Sequence, residues 1–314
     1  MNIVLLEDLG CSKDIVAENV AILQASGHEF KSFAKTTDIE TLKNEVRDAD
    51  VIMLANMPLP AEVLAAAPNA KFIDVAFTGV DHIPVEDAKK RNIAISNASG
   101  YADEAVAELC ISLMIQLLRQ LPEAARRVRS GGVKAGLSAR LIAGKTVGLI
   151  GAGAIGKRLA RLLKAFGATV ITHNRRPVND PAIDRNVTLN ELLETSDIIS
   201  LHCPLTKETK GMIGKDQLAK MKKDAILINT ARGPVVDNRA LADALARGEI
   251  AGAACDVFDM EPPLPEDYPL LQAPNAILTP HLAFYSQESL NDRAKIVFDN
   301  LHAWLAGKQK NIII

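Results

Sequence analysis

Three side chains of the kinds that bind anions and move protons follow successive apolar runs in the second half of the chain. Arg232 follows AILINT, Glu261 follows GAACDVF, and His281 follows AILTP. If these runs are parallel strands, the side chains share the sheet edge beyond the carboxyl ends, where ligands of open α/β sheets bind. An anion anchor, a proton shuttle and an acid that orients the shuttle are what hydride transfer to a 2-oxo acid requires.

Each of the three also has an ordinary structural interpretation. Arg232 fits a surface ion pair, Glu261 a solvated turn before two prolines, and His281 a loop histidine that is satisfied locally. Their shared placement after strands favours a common site.

The other histidines are weaker candidates. His202 begins HCPLT just past another apolar run, so a loop facing a cofactor is expected there. His82, beside a Thr78-Gly79-Val80 turn, is a secondary candidate, and His28 and His302 are interpreted as structural. No two His or Cys residues have the spacing of metal ligands, so no metal site is predicted.

A glycine-rich turn predicts a dinucleotide site. Gly151, Gly153 and Gly156 have the G-x-G-x-x-G spacing after an apolar strand and at the start of a helix, with a second strand about 20 residues on. The first glycine permits the tight turn, the second lets the backbone approach a pyrophosphate, and the third lets helix and strand pack closely.

The second strand ends in VITHNRRP rather than in the acid that usually holds the adenine ribose. Asn174 can still bond a ribose hydroxyl and does not repel a phosphate, and Arg175 or Arg176 can bind a 2′-phosphate. NADP(H) is therefore the predicted cofactor. The two arginines also fit a solvated turn, in which case the cofactor is NAD(H).

Alternating strands and helices predict an α/β fold with parallel sheets. One series of apolar runs lies at 3–6, 51–56, 71–77 and 93–96. A second series, more continuously apolar, lies at 146–151, 169–174, 197–202, 225–230, 252–258 and 276–280. A long, mostly buried helix is predicted over 103–121, and an amphipathic helix over 286–308 that returns to the first domain.

The composition is that of an ordinary globular protein. The 314 residues are 48% apolar and carry a formal net charge of −2, so nothing attracts the chain generally to nucleic acid or to anionic membranes. No signal peptide or membrane span is expected, since the N-terminal apolar run has only strand length. The four cysteines form no C-x-x-C pair, as expected of a cytoplasmic protein with free thiols.

Taken together, the motifs resemble those of the D-isomer-specific 2-hydroxyacid dehydrogenases across essentially the whole chain. GAGAIG, HCPLTKETKGMI, LINTARGPVVD, DVFDMEPP and TPHLAFYS stand in that family's order. The resemblance implies two doubly wound parallel-sheet domains around a cleft, usually in a homodimer. The larger, 99–284, would be a Rossmann dinucleotide-binding domain. The substrate-binding domain would be discontinuous, 1–98 and 285–314.

The resemblance also implies roles for individual residues. Arg232 would bind the substrate carboxylate and carbonyl, His281 would be the general acid/base, and Glu261 would hold the imidazole and favour its protonated form. The predicted cofactor residues are Gly151, Gly153, Ala154, Ile155, Gly156, Asn174, Arg175, Arg176, His202, Cys203, Pro204, Thr209, Thr230, Ala231, Asp256 (at the nicotinamide), His281 and Ala283. The predicted substrate residues are Met57, Thr78, Gly79, Val80 and Arg232, with the Gly79 and Val80 N–H groups facing the substrate carboxylate.

The expected activity is NADP(H)-dependent reduction of small 2-oxo acids, of the glyoxylate, hydroxypyruvate or pyruvate type, to (R)-2-hydroxy acids. The candidate substrate loops are apolar and contain no cation besides Arg232, which disfavours phosphorylated or dicarboxylic substrates. An NAD-dependent D-lactate-type dehydrogenase and a nucleotide-sensing binding protein on the same fold are the alternatives. Formate dehydrogenase activity is disfavoured, because those relatives usually carry glutamine where Glu261 stands.

Overall fold

The computed structural model describes residues 1–314, and the chain divides into two compact units. One unit comprises Met1–Ala102 and Tyr285–Ile314, and the other comprises Asp103–Phe284. The first unit extends past residue 98 because Tyr101 is buried and packs its ring 6.4 Å from that of Phe77.

All strands are short and all are paired in parallel ladders. They are β1 (Asn2–Leu5), β2 (Glu29–Ser32), β3 (Val51–Leu54), β4 (Phe72–Val75), β5 (Ala94–Asn97), β6 (Thr146–Ile150), β7 (Thr169–His173), β8 (Arg185–Asn186), β9 (Ile198–Leu201), β10 (Ile226–Asn229), β11 (Gly252–Cys255) and β12 (Ala276–Leu278).

Helices cover the connections between the strands. They are α1 (Lys13–Ala25), α2 (Ile39–Val46), α3 (Ala61–Ala65), α4 (Val85–Lys90), α5 (Asp103–Leu118), α6 (Leu121–Arg129), α7 (Ala154–Ala165), α8 (Leu189–Thr195), α9 (Lys215–Leu218), α10 (Asn238–Ala246) and α11 (Gln287–Leu305). No single helix is long and apolar enough to span a membrane; α5 and α6 reach that length only together, and they are bent by 59° where they meet.

The first unit contains a parallel sheet in the order β2-β1-β3-β4-β5. Helix α11 packs on this sheet, with Trp304 stacked 4.8 Å from Phe72 of β4. The side chain of Ser286 caps the helix by accepting a hydrogen bond from the Ser289 N–H. This cap and the chain reversal at Gly307, which has φ +73°, set the limits of the helix.

The second unit contains a parallel sheet in the order β12-β11-β10-β9-β6-β7-β8. The chain starts in the middle at β6, runs outward through β7 and β8, and then returns to β9 on the other side. The carboxyl ends of β6 and β9 therefore flank the point where the strand order reverses, which is where such sheets bind nucleotides. The prediction of doubly wound α/β folds is confirmed.

Four elements differ from the sequence-based expectation. The strands β2 and β8 were not predicted, because both are exposed edge strands with few buried side chains to give a pattern. The helix predicted over 103–121 ends at Leu118, since Pro122 sits in the first turn of a new helix and Gln120 before it adopts a left-handed conformation, φ 52°. The last strand, β12, is only half-buried because it lies at the sheet edge.

Candidate active site

The glycine-rich turn after β6 leaves no room for side chains at two of its three glycines. Gly151 has φ +93°, and a Cβ atom there would lie 2.7 Å from the backbone nitrogen of Cys203. At Gly156 a Cβ atom would lie 2.5 Å from the Gly151 carbonyl oxygen, so α7 packs directly on the strand end. Gly153 has open space around it, as a ligand approaching the backbone requires.

The N-terminus of α7 has the character of a phosphate site. Gly153 at the N-cap supplies no side-chain hydrogen bond, and the first turn carries no acidic residue. The first N–H groups of α7 are thus not capped by a side chain, and no carboxylate in the first turn offsets the positive end of the helix dipole. The turn and the helix end together fit the pyrophosphate of a dinucleotide.

Asn174, at the end of β7, is engaged within the protein. Its Oδ1 accepts a hydrogen bond from the Ala152 N–H at 2.7 Å, and its Nδ2 donates to Thr172 Oγ1 at 2.7 Å. The amide therefore braces the glycine-rich turn, a role that the sequence did not indicate. One amide hydrogen remains for a further acceptor, so the predicted contact with the cofactor stays a prediction.

Arg175 and Arg176 are both exposed beyond the same strand. Neither forms an ion pair within 4.0 Å. Glu208 lies near enough that the charge of Arg175 helps to lower the pKa of its carboxyl, although a hydrogen bond from Thr206 is the larger cause. Two exposed cations at this edge suit an anionic group of a ligand.

The loop after β9 is held by internal contacts, and burial shifts the pKa values of its histidine and its cysteine. His202 Nε2 lies 2.9 Å from Ser200 Oγ, and desolvation lowers the pKa of His202 to about 4, so the imidazole is neutral at physiological pH. Cys203 is buried, which raises the pKa of its thiol. Thr209 Oγ1 donates to the Pro204 carbonyl at 2.6 Å and so closes the loop on itself.

Arg232 is held at the end of β10 by Asn229, which sequence reasoning missed. The fully buried Asn229 accepts from the Ala231 N–H and donates to the Arg232 carbonyl, both at 3.1 Å. Thr230 Oγ1 lies 3.2 Å from the Sγ of Cys110 on α5. These contacts fix the backbone at Arg232, whose neighbour Gly233 touches the backbone of the next strand's loop so closely that no Cβ would fit.

Asp256, at the end of β11, anchors the loop that follows β12. Its fully buried carboxylate accepts hydrogen bonds from Thr279 Oγ1 at 2.6 Å, the Leu282 N–H at 2.9 Å and the Ala283 N–H at 2.8 Å. Burial raises the pKa of Asp256, and the three hydrogen bonds oppose that rise. The predicted contact with a nicotinamide stays a prediction, whereas the observed partners all belong to the loop.

His281 and Glu261 form a hydrogen-bonded pair. The Nδ1 atom of His281 lies 2.9 Å from Glu261 Oε1, and its ring meets Phe284 edge-on at 5.5 Å. The backbone at His281 has φ +53°, a conformation that a non-glycine residue adopts only where its surroundings hold it. The side chain of His281 is 14% exposed and that of Glu261 67% exposed, so the imidazole is set into the surface while its partner reaches solvent.

The order of strands brings the three predicted catalytic residues to one sheet edge. Arg232 follows β10, Glu261 follows β11 and His281 follows β12, and these three strands are consecutive in the sheet. An imidazole paired with a carboxylate can donate and recover a proton, and a guanidinium can hold a carboxylate. No group of three or more His, Cys, Asp or Glu side chains is arranged to hold a metal ion.

The loops of the first unit that were predicted to contact substrate are also braced. The buried Glu7, another residue that sequence reasoning missed, accepts hydrogen bonds at 2.8 Å from the N–H groups of Ala55 and Met57. His82 Nε2 lies 2.8 Å from the Ala55 carbonyl and so ties the same loop to the one that contains Thr78.

Met57, one of the predicted substrate residues, is buried, and its contact with a substrate stays a prediction. The residue is 1% exposed, because its side chain packs into the core of the first unit. Thr78 is exposed, and its carbonyl accepts a hydrogen bond from Asn97 at 2.7 Å. Gly79 and Val80 are half-buried in the same loop.

Known proteins are similar to this chain in both sequence and fold. Residues 111–283 match the family model described as "D-isomer specific 2-hydroxyacid dehydrogenase, NAD binding domain". A glyoxylate reductase from Thermofilum pendens is 40% identical over 297 residues, which cover 91% of this chain and 87% of that protein. A glycerate dehydrogenase from Methylorubrum extorquens is 39% identical, with 91% of this chain and 92% of that protein covered.

Among solved structures, an acyclic imino acid reductase in complex with NADPH and D-Arg superposes with a TM-score of 0.92 at 29% identity, with both chains fully covered. The resemblance drawn from the motifs is therefore confirmed. The chain belongs to the D-isomer-specific 2-hydroxyacid dehydrogenase family of oxidoreductases.

Proposed function

We propose that this protein reduces small 2-oxo acids to (R)-2-hydroxy acids with NADPH. The observation that carries the proposal is the 2.9 Å pair of His281 and Glu261 at the same sheet edge as Arg232. The names of the relatives, a glyoxylate reductase and a glycerate dehydrogenase, support a substrate of two or three carbons.

Each catalytic side chain has a distinct task in this proposal. Arg232 holds the substrate carboxylate through two parallel N–H bonds. A nicotinamide cofactor bound at the turn of residues 151–156 supplies the hydride that C2 receives. His281 gives a proton to the oxygen that becomes the hydroxyl, and we assign the transfer to Nε2 because Nδ1 faces the carboxylate of Glu261. Glu261 orients the ring and stabilises the imidazolium.

The proposed preference for NADPH is based on the residues at the end of β7. Asn174 replaces the acid that would repel a 2′-phosphate, and the exposed Arg175 and Arg176 lie directly beyond it. A charge-assisted hydrogen bond contributes about 1.5–3 kcal/mol, or about one to two decades in affinity. The NADPH complex of the imino acid reductase is consistent with this choice on the same fold.

Initial rates with a panel of 2-oxo acids and both cofactors test the proposal. Glyoxylate, hydroxypyruvate and pyruvate should be reduced, with kcat/KM at least about tenfold higher for NADPH than for NADH. Activity with none of the 2-oxo acids would contradict the proposed reaction and favour a nucleotide-sensing protein. Equal or better use of NADH would contradict only the cofactor assignment. It would favour the alternative of an NAD-dependent D-lactate-type dehydrogenase.

We further propose that the protein is a cytoplasmic homodimer. Leu121, Val128, Val133 and Leu141 leave apolar side chains exposed along α6 and the segment after it, and a second copy of the chain would cover them. The free cysteines are suited to a reducing compartment. Light scattering on the purified protein should give twice the monomer mass, and a V128D/V133D variant should be monomeric.

A further inference from the structure

A buried threonine lies beneath Asn174, and the direction of its hydrogen bond is fixed. Thr172 is fully buried, and its Oγ1 donates to the carbonyl oxygen of Leu149 at 3.0 Å. A carbonyl oxygen can only accept, so the single hydroxyl proton of Thr172 is committed to Leu149. Toward Asn174, Thr172 therefore presents lone pairs alone, and it receives an N–H from the amide at 2.7 Å.

The other half of the Asn174 amide is fixed in the same way. A backbone N–H can only donate, so the atom that faces Ala152 at 2.7 Å must be the amide oxygen. Position 174 thus has to accept a hydrogen bond on the side of the glycine-rich turn and to donate one on the side of Thr172. An amide meets both demands, whereas a carboxylate can meet only the first.

We propose that Thr172 is a specificity-determining residue for the cofactor, because it demands a donor at position 174 and so disfavours aspartate there. The inference rests on the proposed use of NADP(H). A carboxylate at this position would direct an oxygen at the lone pairs of Thr172. Relief would require the hydroxyl to abandon Leu149 or the carboxylate to release Ala152 and loosen the turn. Thr172 thereby disfavours NAD indirectly. Its lone pairs repel the carboxylate that would hold the NAD ribose, and Thr172 itself need not contact the cofactor.

Three variants separate this role from that of position 174 itself. N174D should lose at least about tenfold in kcat/KM with NADPH and gain less than about threefold with NADH. T172V/N174D, which removes the opposing hydroxyl with a side chain of the same shape, should gain about tenfold with NADH over N174D. T172S/N174D is the matched control, because it keeps the hydroxyl, and it should behave like N174D.

Thermal unfolding without cofactor gives a second readout. N174D should melt below the wild type at pH 7 and recover as the pH falls, because a protonated carboxyl can donate to Thr172. T172V/N174D should not show this recovery. If N174D folds too poorly to assay while T172V/N174D folds, the proposal is supported in the same way.

The inference is overturned if N174D alone uses NADH as well as T172V/N174D does, or if the two variants melt alike at all pH values. Failure of the cofactor assignment is a different result. In that case the wild type would prefer NADH, while the pH-dependent difference in melting between N174D and T172V/N174D would persist.

Discussion

At the residue scale, Arg232 has the most demanding geometry of the proposed catalytic groups, since its planar guanidinium must match a carboxylate. Arg232→Ala should lower kcat/KM for glyoxylate by about 10²-fold or more, because a charge-assisted pair is lost from productive binding. Arg232→Lys should restore little of the lost kcat/KM, because an ammonium group is a point charge and cannot bind a carboxylate through two parallel hydrogen bonds.

Steady-state kinetics check this prediction, with the exposed Arg239→Ala on α10 as a control for loss of one positive charge. Full activity of the lysine variant would show that Arg232 does not bind the substrate carboxylate in a bidentate manner.

Glu261 acts through His281, so its replacement should slow turnover more than it weakens cofactor binding. Glu261→Gln keeps a hydrogen-bond acceptor near Nδ1 but removes the negative charge beside the ring. The kcat for glyoxylate should fall about tenfold or more, whereas the NADPH dissociation constant should stay within about threefold of the wild type. Steady-state kinetics and fluorescence titration measure the change, with the exposed Glu266→Gln as control; an unchanged kcat for E261Q would remove Glu261 from the pair.

At the scale of elements, the loop after β12 depends on one buried carboxylate. Asp256→Asn would keep an acceptor for Thr279 and Leu282 but would turn an amide N–H toward the Ala283 N–H. We expect kcat to fall about 10- to 100-fold, because His281 lies within the loop, and the free energy of unfolding to fall by about 1–3 kcal/mol.

Comparing the effects of Asp256→Asn on kcat and on cofactor binding distinguishes a displaced loop from general damage to the fold. The dissociation constant for NADPH, measured by fluorescence titration, should change less than kcat does. An unaltered kcat would show that the loop holds its position without Asp256.

The loop after β9 should make stability depend on pH through His202. Its pKa is lowered by desolvation from 6.5 to about 4, so the folded state excludes a proton that the unfolded chain binds. The associated stability is present above about pH 6.5 and is lost as the pH falls toward 4, by up to about 2–3 kcal/mol.

His202→Asn removes the titrating group and should flatten the dependence of the melting temperature on pH between 6.5 and 4. The half-buried His28→Asn, in the other unit, is a control for the loss of a histidine elsewhere in the chain. Equal slopes for H202N and the wild type would show that His202 is not held neutral by the fold.

At the scale of the whole molecule, the sequence predicts features whose cause is local. Continuous apolar runs predict the buried strands, and the glycines at 151, 153 and 156 predict the nucleotide turn. Edge strands such as β8, with two residues, have no comparable pattern. The end of α5 was missed because apolar spacing continues past Leu118, while Pro122 decides where the next helix begins.

Residues that brace the loops are hidden from sequence reasoning for a different reason. Glu7 accepts hydrogen bonds from N–H groups 48 and 50 residues away. Asp256 was predicted only as a contact of the nicotinamide, whereas its observed partners lie in the loop after another strand. Such partners become neighbours only through strand order and register. A polar residue at the end of an apolar run, as at Glu7, Asn229 and Asp256, is the one signal that could have indicated them.

His281 is proposed to supply the proton when a 2-oxo acid is reduced. The most direct measurement is kcat for glyoxylate with NADPH in the wild type and in His281→Ala, together with the NADPH dissociation constant of each. The wild type should turn over, the variant should lose about 10²–10⁴-fold in kcat, and the two NADPH dissociation constants should agree within about threefold. Turnover of the variant at the wild-type rate would contradict this role of His281.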